Sequence, residues 1–200
     1  RKQDGMLAVA QQREIAEVQA AMIIARMNPR DEQQALDRIV NACTRPQLAE
    51  ASTYDYSKGG TTISGASIRL AEVIAQNWGN FECGVRELSQ QNGESTVEAY
   101  AWDIQTNFRY KKVFHVPHVR HTKKGDYAIT DPREIYELVA NVGARRKRAC
   151  ILAVIPGDIQ ESAITQCETT MLTKFEVTEE RLKNLVVKFA QLGVTKEMIE

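Results

Sequence analysis

Cations crowd one stretch of this 200-residue chain. Between positions 109 and 148 stand Arg109, Lys111, Lys112, Arg120, Lys123, Lys124, Arg133, Arg145, Arg146, Lys147 and Arg148, against Asp126, Asp131, Glu134 and Glu137. The stretch carries a net +7 in a chain that is neutral overall, so the remainder carries −7. All three histidines, His115, His118 and His121, fall in the same stretch. A charge run is ordinarily a solvated face. Here the cations occupy a predicted strand, a loop and a helix in succession while the rest of the chain is acidic, an asymmetry that points to a polyanionic partner.

Single strands of nucleic acid are held by Lys and Arg along the phosphates and by planar side chains stacked on bases. The segment Phe108-Arg109-Tyr110-Lys111-Lys112-Val113-Phe114-His115 interleaves both kinds of residue. Period-two reading puts Phe108, Tyr110, Phe114 and Val116 on one face, as core, and Arg109, Lys111 and His115 on the other. Phosphate contacts are then expected from Arg109, Lys111, Lys112, Arg120, Lys123, Lys124, Arg133, Arg145, Arg146, Lys147 and Arg148, with Tyr110 and His115 touching bases. On a helical wheel Arg146 falls within an apolar stripe, between Val142 and Ala149. An unpaired guanidinium there costs several kcal/mol, so either a carboxylate meets it or the stripe opens into a groove where a phosphate does.

Other chemistries fit less well. Gly59-Gly60-Thr61-Thr62-Ile63-Ser64-Gly65 lacks the G-K-[ST] ending of a nucleotide-binding loop and reads as a hairpin before a helix. His115, His118 and His121 are spaced three apart, which on a strand alternates faces and disfavours a metal centre. Asp126, Asp131 and Glu134 are the carboxylates a metal-dependent nuclease would need, although Asp131 and Glu134 read as helix-capping residues. No G-x-S-x-G motif exists and no cysteine has a nearby histidine in sequence. We therefore expect no catalytic residues, no metal and no cofactor. A nuclease or a protein-interaction scaffold is the alternative.

The elements that must position these residues follow from patterning. Helices are expected over 11–26, with Ile15, Val18, Met22 and Ala25 inward, and from Asn28-Pro29 to about Cys43, with Asn28 as N-cap. A β-like segment at 53–56, a Gly59-Gly60 turn and a helix ending at Trp78-Gly79 come next. Strands are expected at 80–90, 95–104 and 108–116, joined by Asn92-Gly93 and by Gln105-Thr106-Asn107, which makes an antiparallel meander. Residues 117–130 read as a loop or ragged hairpin with Lys123-Lys124-Gly125 at its tip. Asp131-Pro132-Arg133-Glu134 is a capping box opening a helix to about Val154, with Ile135, Leu138, Val139, Val142 and Ala149 inward. Asp158 and Glu161 suggest a second capping box for a helix through about Met171. A last helix from Thr178 has Leu182, Leu185, Val186 and Phe189 inward and stops at Gly193. The fold class is thus α+β, an antiparallel β-meander of three or more strands packed with helices. Residues 1–171 form the binding and oligomerisation domain, and 178–200 start a helical C-terminal segment. Cys43, Cys83, Cys150 and Cys167 show no CxxC pairing and read as reduced core thiols, which suits a cytoplasm. No apolar run approaches the roughly 20 residues of a membrane span, and the first residues lack the order of regions in a secretory leader. Both ends read as cuts through a longer chain.

The order of elements over about residues 40–165 resembles the RecT/Redβ family of phage single-strand annealing proteins. The resemblance is carried by Pro46 with Glu50 and Tyr54, by Thr62-Ile63-Ser64-Gly65-Ala66-Ser67-Ile68-Arg69 opening a helix that ends Asn77-Trp78-Gly79-Asn80-Phe81, and by the strand meander. Thr130-Asp131-Pro132 then leads to a basic helix ending Arg145-Arg146-Lys147-Arg148-Ala149-Cys150, with an Ile155-Pro156 turn after it. Cys43-Thr44-Arg45 stands where the family usually has Gly-Leu before the proline, and Thr130-Asp131 where an aromatic precedes the helix-opening proline. The resemblance implies ATP-independent annealing of complementary single strands in phage-type homologous recombination, by rings or helical filaments of the chain in a bacterial cytoplasm. It also implies a partner exonuclease and a host single-strand-binding protein, the latter recruited by a C-terminal helical unit. Acidic positions such as Glu14, Glu17, Asp31, Glu32 and Asp37 would meet the basic strip of a neighbouring copy.

Overall fold

The computed structural model describes the backbone of residues 2–58, 61–122, 125–174 and 179–191, and the side chains of 8–53, 65–122, 125–173 and 182–191. In chain order the elements are α1 (Lys2–Met27), α2 (Glu32–Cys43), α3 (Pro46–Glu50), β1 (Thr53–Lys58), β2 (Thr61–Ala66), α4 (Ile68–Trp78), β3 (Phe81–Gln91), β4 (Glu94–Asp103), β5 (Phe108–Pro117), β6 (Val119–Thr122), β7 (Gly125–Ala128), α5 (Pro132–Val154), α6 (Gly157–Lys174) and α7 (Glu179–Gln191). The fold is α+β. A three-stranded antiparallel meander, in the order β3-β4-β5, packs against helices, and β1-β2 and β6-β7 form separate hairpins.

Local chemistry explains most boundaries. Asn92 and Gly93 both take positive φ, 54° and 75°, the two-residue turn whose twist matches the strands on either side. Asn107, at φ 59°, closes the next turn. Gly79 ends α4 at φ 75°, where a Cβ would be strained. Asp131 caps α5 by accepting from the Glu134 amide at 2.9 Å, with Pro132 in the first turn. The reciprocal half of the expected box is replaced, because the Glu134 carboxylate faces Arg120 at 3.8 Å.

Two caps differ from expectation, those of α2 and α6. Asp31, not Asn28, caps α2, accepting from the Gln34 amide at 3.0 Å. Ser67 caps α4, accepting from the Leu70 amide at 3.2 Å. Helix α6 begins at Gly157, which puts Asp158 inside its first turn and not at the cap. The expected Gly59-Gly60 turn and the Gly193 stop lie outside the described residues.

The core forms where β4 meets the helices. Ala99 and Ala101 join Ile39 and Cys43 of α2, Leu70, Ile74 and Trp78 of α4, Cys150 and Ile151 of α5, and Ile159, Ala163 and Cys167 of α6. A smaller cluster joins Val97 and Val116 to Val139, with Phe114, Ile135, Leu138 and Val142 around it. Gly143 lets α5 approach β3 closely, since a Cβ there would sit 2.9 Å from Val85 Cγ1. All four cysteines are free thiols, three of them buried and Cys83 half-buried.

A buried clamp organises the turn between β4 and β5. The Arg30 guanidinium donates to Asp103 Oδ2 (2.9 Å), the Trp78 carbonyl (2.9 Å) and the Gly79 carbonyl (2.8 Å), and lies 4.2 Å from the Trp78 ring centre. Both partner side chains are almost fully buried, at 2% and 6% exposure. Burial pushes the Asp103 carboxyl up, but Arg30, the Thr106 amide and the Trp78 indole outweigh it and hold the group below the usual carboxylate range.

The outer helices depart from expectation. Of the predicted inward stripe of α1, Ala25 is buried, but Ile15 and Val18 are exposed, as are Val9, Ile23, Ile24 and Met27. In α7, Leu182, Leu185, Val186 and Phe189 are likewise exposed. Helix α7 is amphipathic as read, yet its apolar face meets no core among the described residues, whereas the apolar residues of α1 spread around the helix, with Ala25 buried and Met22 half-buried. No described helix is long and apolar enough to cross a membrane.

Candidate nucleic-acid interface

Strand β5 is an edge strand, so the groups along its outer margin are not covered by a further strand. Its register with β4 places Tyr110 opposite Ala101, Lys112 opposite Ala99 and Phe114 opposite Val97. Those alanines and Val97 are buried beneath the helices, so Phe108, Tyr110, Lys112, Phe114 and Val116 share the helix-facing side. Helix α5 covers only part of that row. Its first half packs on Phe114 and Val116 through Ile135, Leu138, Val139 and Val142. Beyond Phe114 the cover ends: Phe108 is 52% exposed, Tyr110 37%, and Lys112 is exposed too. The expectation that Phe108 and Tyr110 are core is corrected here, because the edge strand outruns the helix.

The uncovered first half of β5 and the neighbouring second half of α5 together make the candidate cleft. Lys112 Nζ lies 5.6 Å from the Tyr110 ring centre, and Arg146 Cζ lies 5.8 Å from the Phe114 ring centre. Neither outcome foreseen for Arg146 is needed, because the side chain is not buried in the stripe. The side chain is exposed, over an aromatic ring, with no carboxylate paired to it among the described residues. Arg145 is exposed on the flank shared with Leu138, Val142 and Ala149, at the i±3 and i±4 spacing that faces β5. Arg148 follows half-buried on the same helix.

The other predicted contacts go elsewhere. Lys147 points to the opposite flank of α5 and pairs with Glu72 of α4. Arg120 faces Glu134 at 3.8 Å. Arg133 is exposed in the first turn of α5, roughly 18 Å from Arg145 at 1.5 Å per residue. Lys123 and Lys124 lie outside the described residues. Arg109, Lys111 and His115 occupy the other face of the sheet. There Arg109 stacks 3.7 Å from the Trp102 ring centre, Lys111 meets Glu98 at 3.5 Å, and His115 Nδ1 lies 3.6 Å from Glu94 and 3.2 Å from Thr96 Oγ1. The basic stretch is therefore split between two faces, and among the described residues Tyr110, Lys112, Arg145 and Arg146, with Arg148 alongside, lie on the cleft side.

The histidines separate too. His118 is buried with Nε2 2.8 Å from Ser95 Oγ, so it belongs to the core and not to the basic surface. His121 faces Asp126 at 2.9 Å on the β6-β7 hairpin. Asp126, Asp131 and Glu134 are thus engaged separately, and no cluster of three or more metal-ligating side chains occurs among the described residues.

Sequence reading missed Phe108 as an exposed ring. The signal was Lys112, which falls in the same alternating row as Phe108, Tyr110 and Phe114. A lysine in the middle of an apolar row marks a face that is not sealed. Comparisons with protein-family models, curated proteins and solved structures return no match for this chain.

Proposed function

We propose that this chain binds single-stranded DNA in the cleft between β5 and α5 and anneals complementary strands without ATP, in the manner of the RecT/Redβ proteins it resembles. The observation that carries this reading is the exposed row Phe108, Tyr110 and Lys112 on an edge strand, with Arg146 over the neighbouring Phe114 ring and Arg145 exposed beside it on α5. Exposed rings supply stacking surfaces and the guanidinium and ammonium groups supply phosphate contacts, the pairing that sequence-tolerant single-strand binding needs. Nothing in this action requires a bonded intermediate, so the residues act by holding two strands extended while base pairing does the selection. The finer fold assignment belongs to the same proposal, as do rings or helical filaments of the chain, a partner exonuclease, a host single-strand-binding protein and a place in the bacterial cytoplasm.

The test is fluorescence anisotropy of a labelled oligonucleotide, followed by annealing to its complement. Reversing Arg145 and Arg146 to Glu weakens binding about tenfold or more and abolishes annealing. Lys147 is unsuited to this test because its reversal would also break the pair with Glu72. Full annealing by the doubly reversed chain would remove the cleft from consideration. Failure of the unaltered chain to bind at low salt would favour a protein-interaction scaffold.

A further inference from the structure

The face of the sheet turned away from α5 holds a second cleft, of about 340 Å³, roofed by Val18 of α1. This lies within the roughly 300–1,000 Å³ range of small-ligand pockets. Its floor is the outward row of β4: Glu98, Tyr100 and Trp102. Arg109 lies 3.7 Å from the Trp102 ring centre and Arg86 lies 4.7 Å from that of Tyr100. Each ring thus backs a planar guanidinium, whose other face is a flat, charged platform of the kind that stacks on bases. Gly84 makes room for this arrangement, because a Cβ there would sit 2.8 Å from the Tyr100 hydroxyl, which donates to Glu82 at 2.9 Å.

The polar groups complete a recognisable set. Lys111 and Arg86 are cations at the wall, suited to a phosphate, and Arg86 Nη2 also lies 3.8 Å from Glu82 Oε1. Glu82 and Glu98 are acceptor-only carboxylates. Glu98 Oε2 faces Lys111 at 3.5 Å, and that side chain is only 16% exposed. A carboxylate held inside a cleft beside a stacking platform accepts from an amino group and repels a carbonyl edge.

We propose that this outer cleft binds one nucleotide whose base bears an exocyclic amine. The ring stacks on Arg109, the amine donates to Glu98 or Glu82, and the phosphate meets Lys111 or Arg86. This rests on the nucleic-acid reading given above but concerns the opposite face, and it adds a base preference that the β5-α5 cleft does not supply.

The test titrates the intact chain with deoxyadenosine monophosphate and, separately, thymidine monophosphate, following tryptophan emission. Trp102 is the reporter beneath Arg109, while Trp78 is buried in the core. The adenine nucleotide shifts the emission at a concentration about tenfold lower than the thymine nucleotide, the scale of one hydrogen bond to a charged group. Glu82→Gln combined with Glu98→Gln removes the preference, and Arg109→Gln, a change at an exposed side chain, removes the response to both. Equal response to the two nucleotides, or no response at millimolar concentration, overturns the proposal, as does a response indifferent to these substitutions. Anisotropy of an oligothymidylate run alongside separates the two readings. If it binds while the mononucleotide test fails, only the outer cleft is wrong; if it does not bind, the nucleic-acid reading fails with it.

Discussion

Arg30 and Asp103 show how much a single contact can carry. The pair is buried and hydrogen-bonded to the C-terminal end of α4, so removing one partner leaves a charge without compensation. Asp103→Asn is expected to cost about 3–5 kcal/mol in urea unfolding. Because the folded Asp103 carboxyl titrates below its unfolded value, its contribution is complete above the unfolded pKa of about 3.9 and is lost as pH falls through the folded one. The stability difference between the parent and the Asn variant therefore shrinks as pH falls below about 4, which acid titration of unfolding midpoints will read. Sequence patterning offered no route to this pair, since its members stand 73 positions apart. At the cleft, Phe108→Ala and Tyr110→Ala each weaken oligonucleotide binding by about 1–3 kcal/mol if their rings stack on bases. Their folding stability changes little, because both side chains are partly in solvent.

At the scale of elements, the parts legible in sequence were those with local causes. Asn92-Gly93 named its hairpin, Asp131-Pro132 named the start of α5, and the change from period 3.6 to period 2 named the meander. What stayed hidden depended on neighbours. Whether Phe189 of α7 is buried is decided by what stands opposite, and the amphipathic pattern does not say. The site was half legible: the cations were gathered in one stretch of sequence, but strand register and helix phase put Arg109, Lys111, Lys147 and His115 on other faces than Lys112 and Arg146. Gly143 illustrates the same point. Its role is visible only against Val85, whose branched side chain has little freedom to yield. Gly143→Val should push α5 from the sheet and cost about 1–3 kcal/mol, measured by thermal or urea unfolding.

Across the whole molecule, charge is divided by region and also by face. Lys112, Arg145 and Arg146 are the cations at the β5-α5 cleft without a carboxylate paired among the described residues, whereas Lys111, Arg120 and Lys147 have one. Three phosphate contacts predict a log–log salt slope of about −2, at −0.7 per contact for single strands. Affinity should then fall about twentyfold between 50 and 200 mM salt. A slope several times steeper would show that the paired cations also release their carboxylates to bind phosphate. Helix α1 adds a mechanical aspect to this arrangement. It is a rod of about 39 Å at 1.5 Å per residue, and Arg30, just past its end, is bolted to Asp103 and takes the Gln105 side chain on its amide at 2.6 Å. Those two residues belong to the bend from which Phe108 and Tyr110 emerge. A neighbour that grips the rod and swings it would load that bend directly, so leverage at one end of the protein would be felt first by the rings proposed to meet the bases.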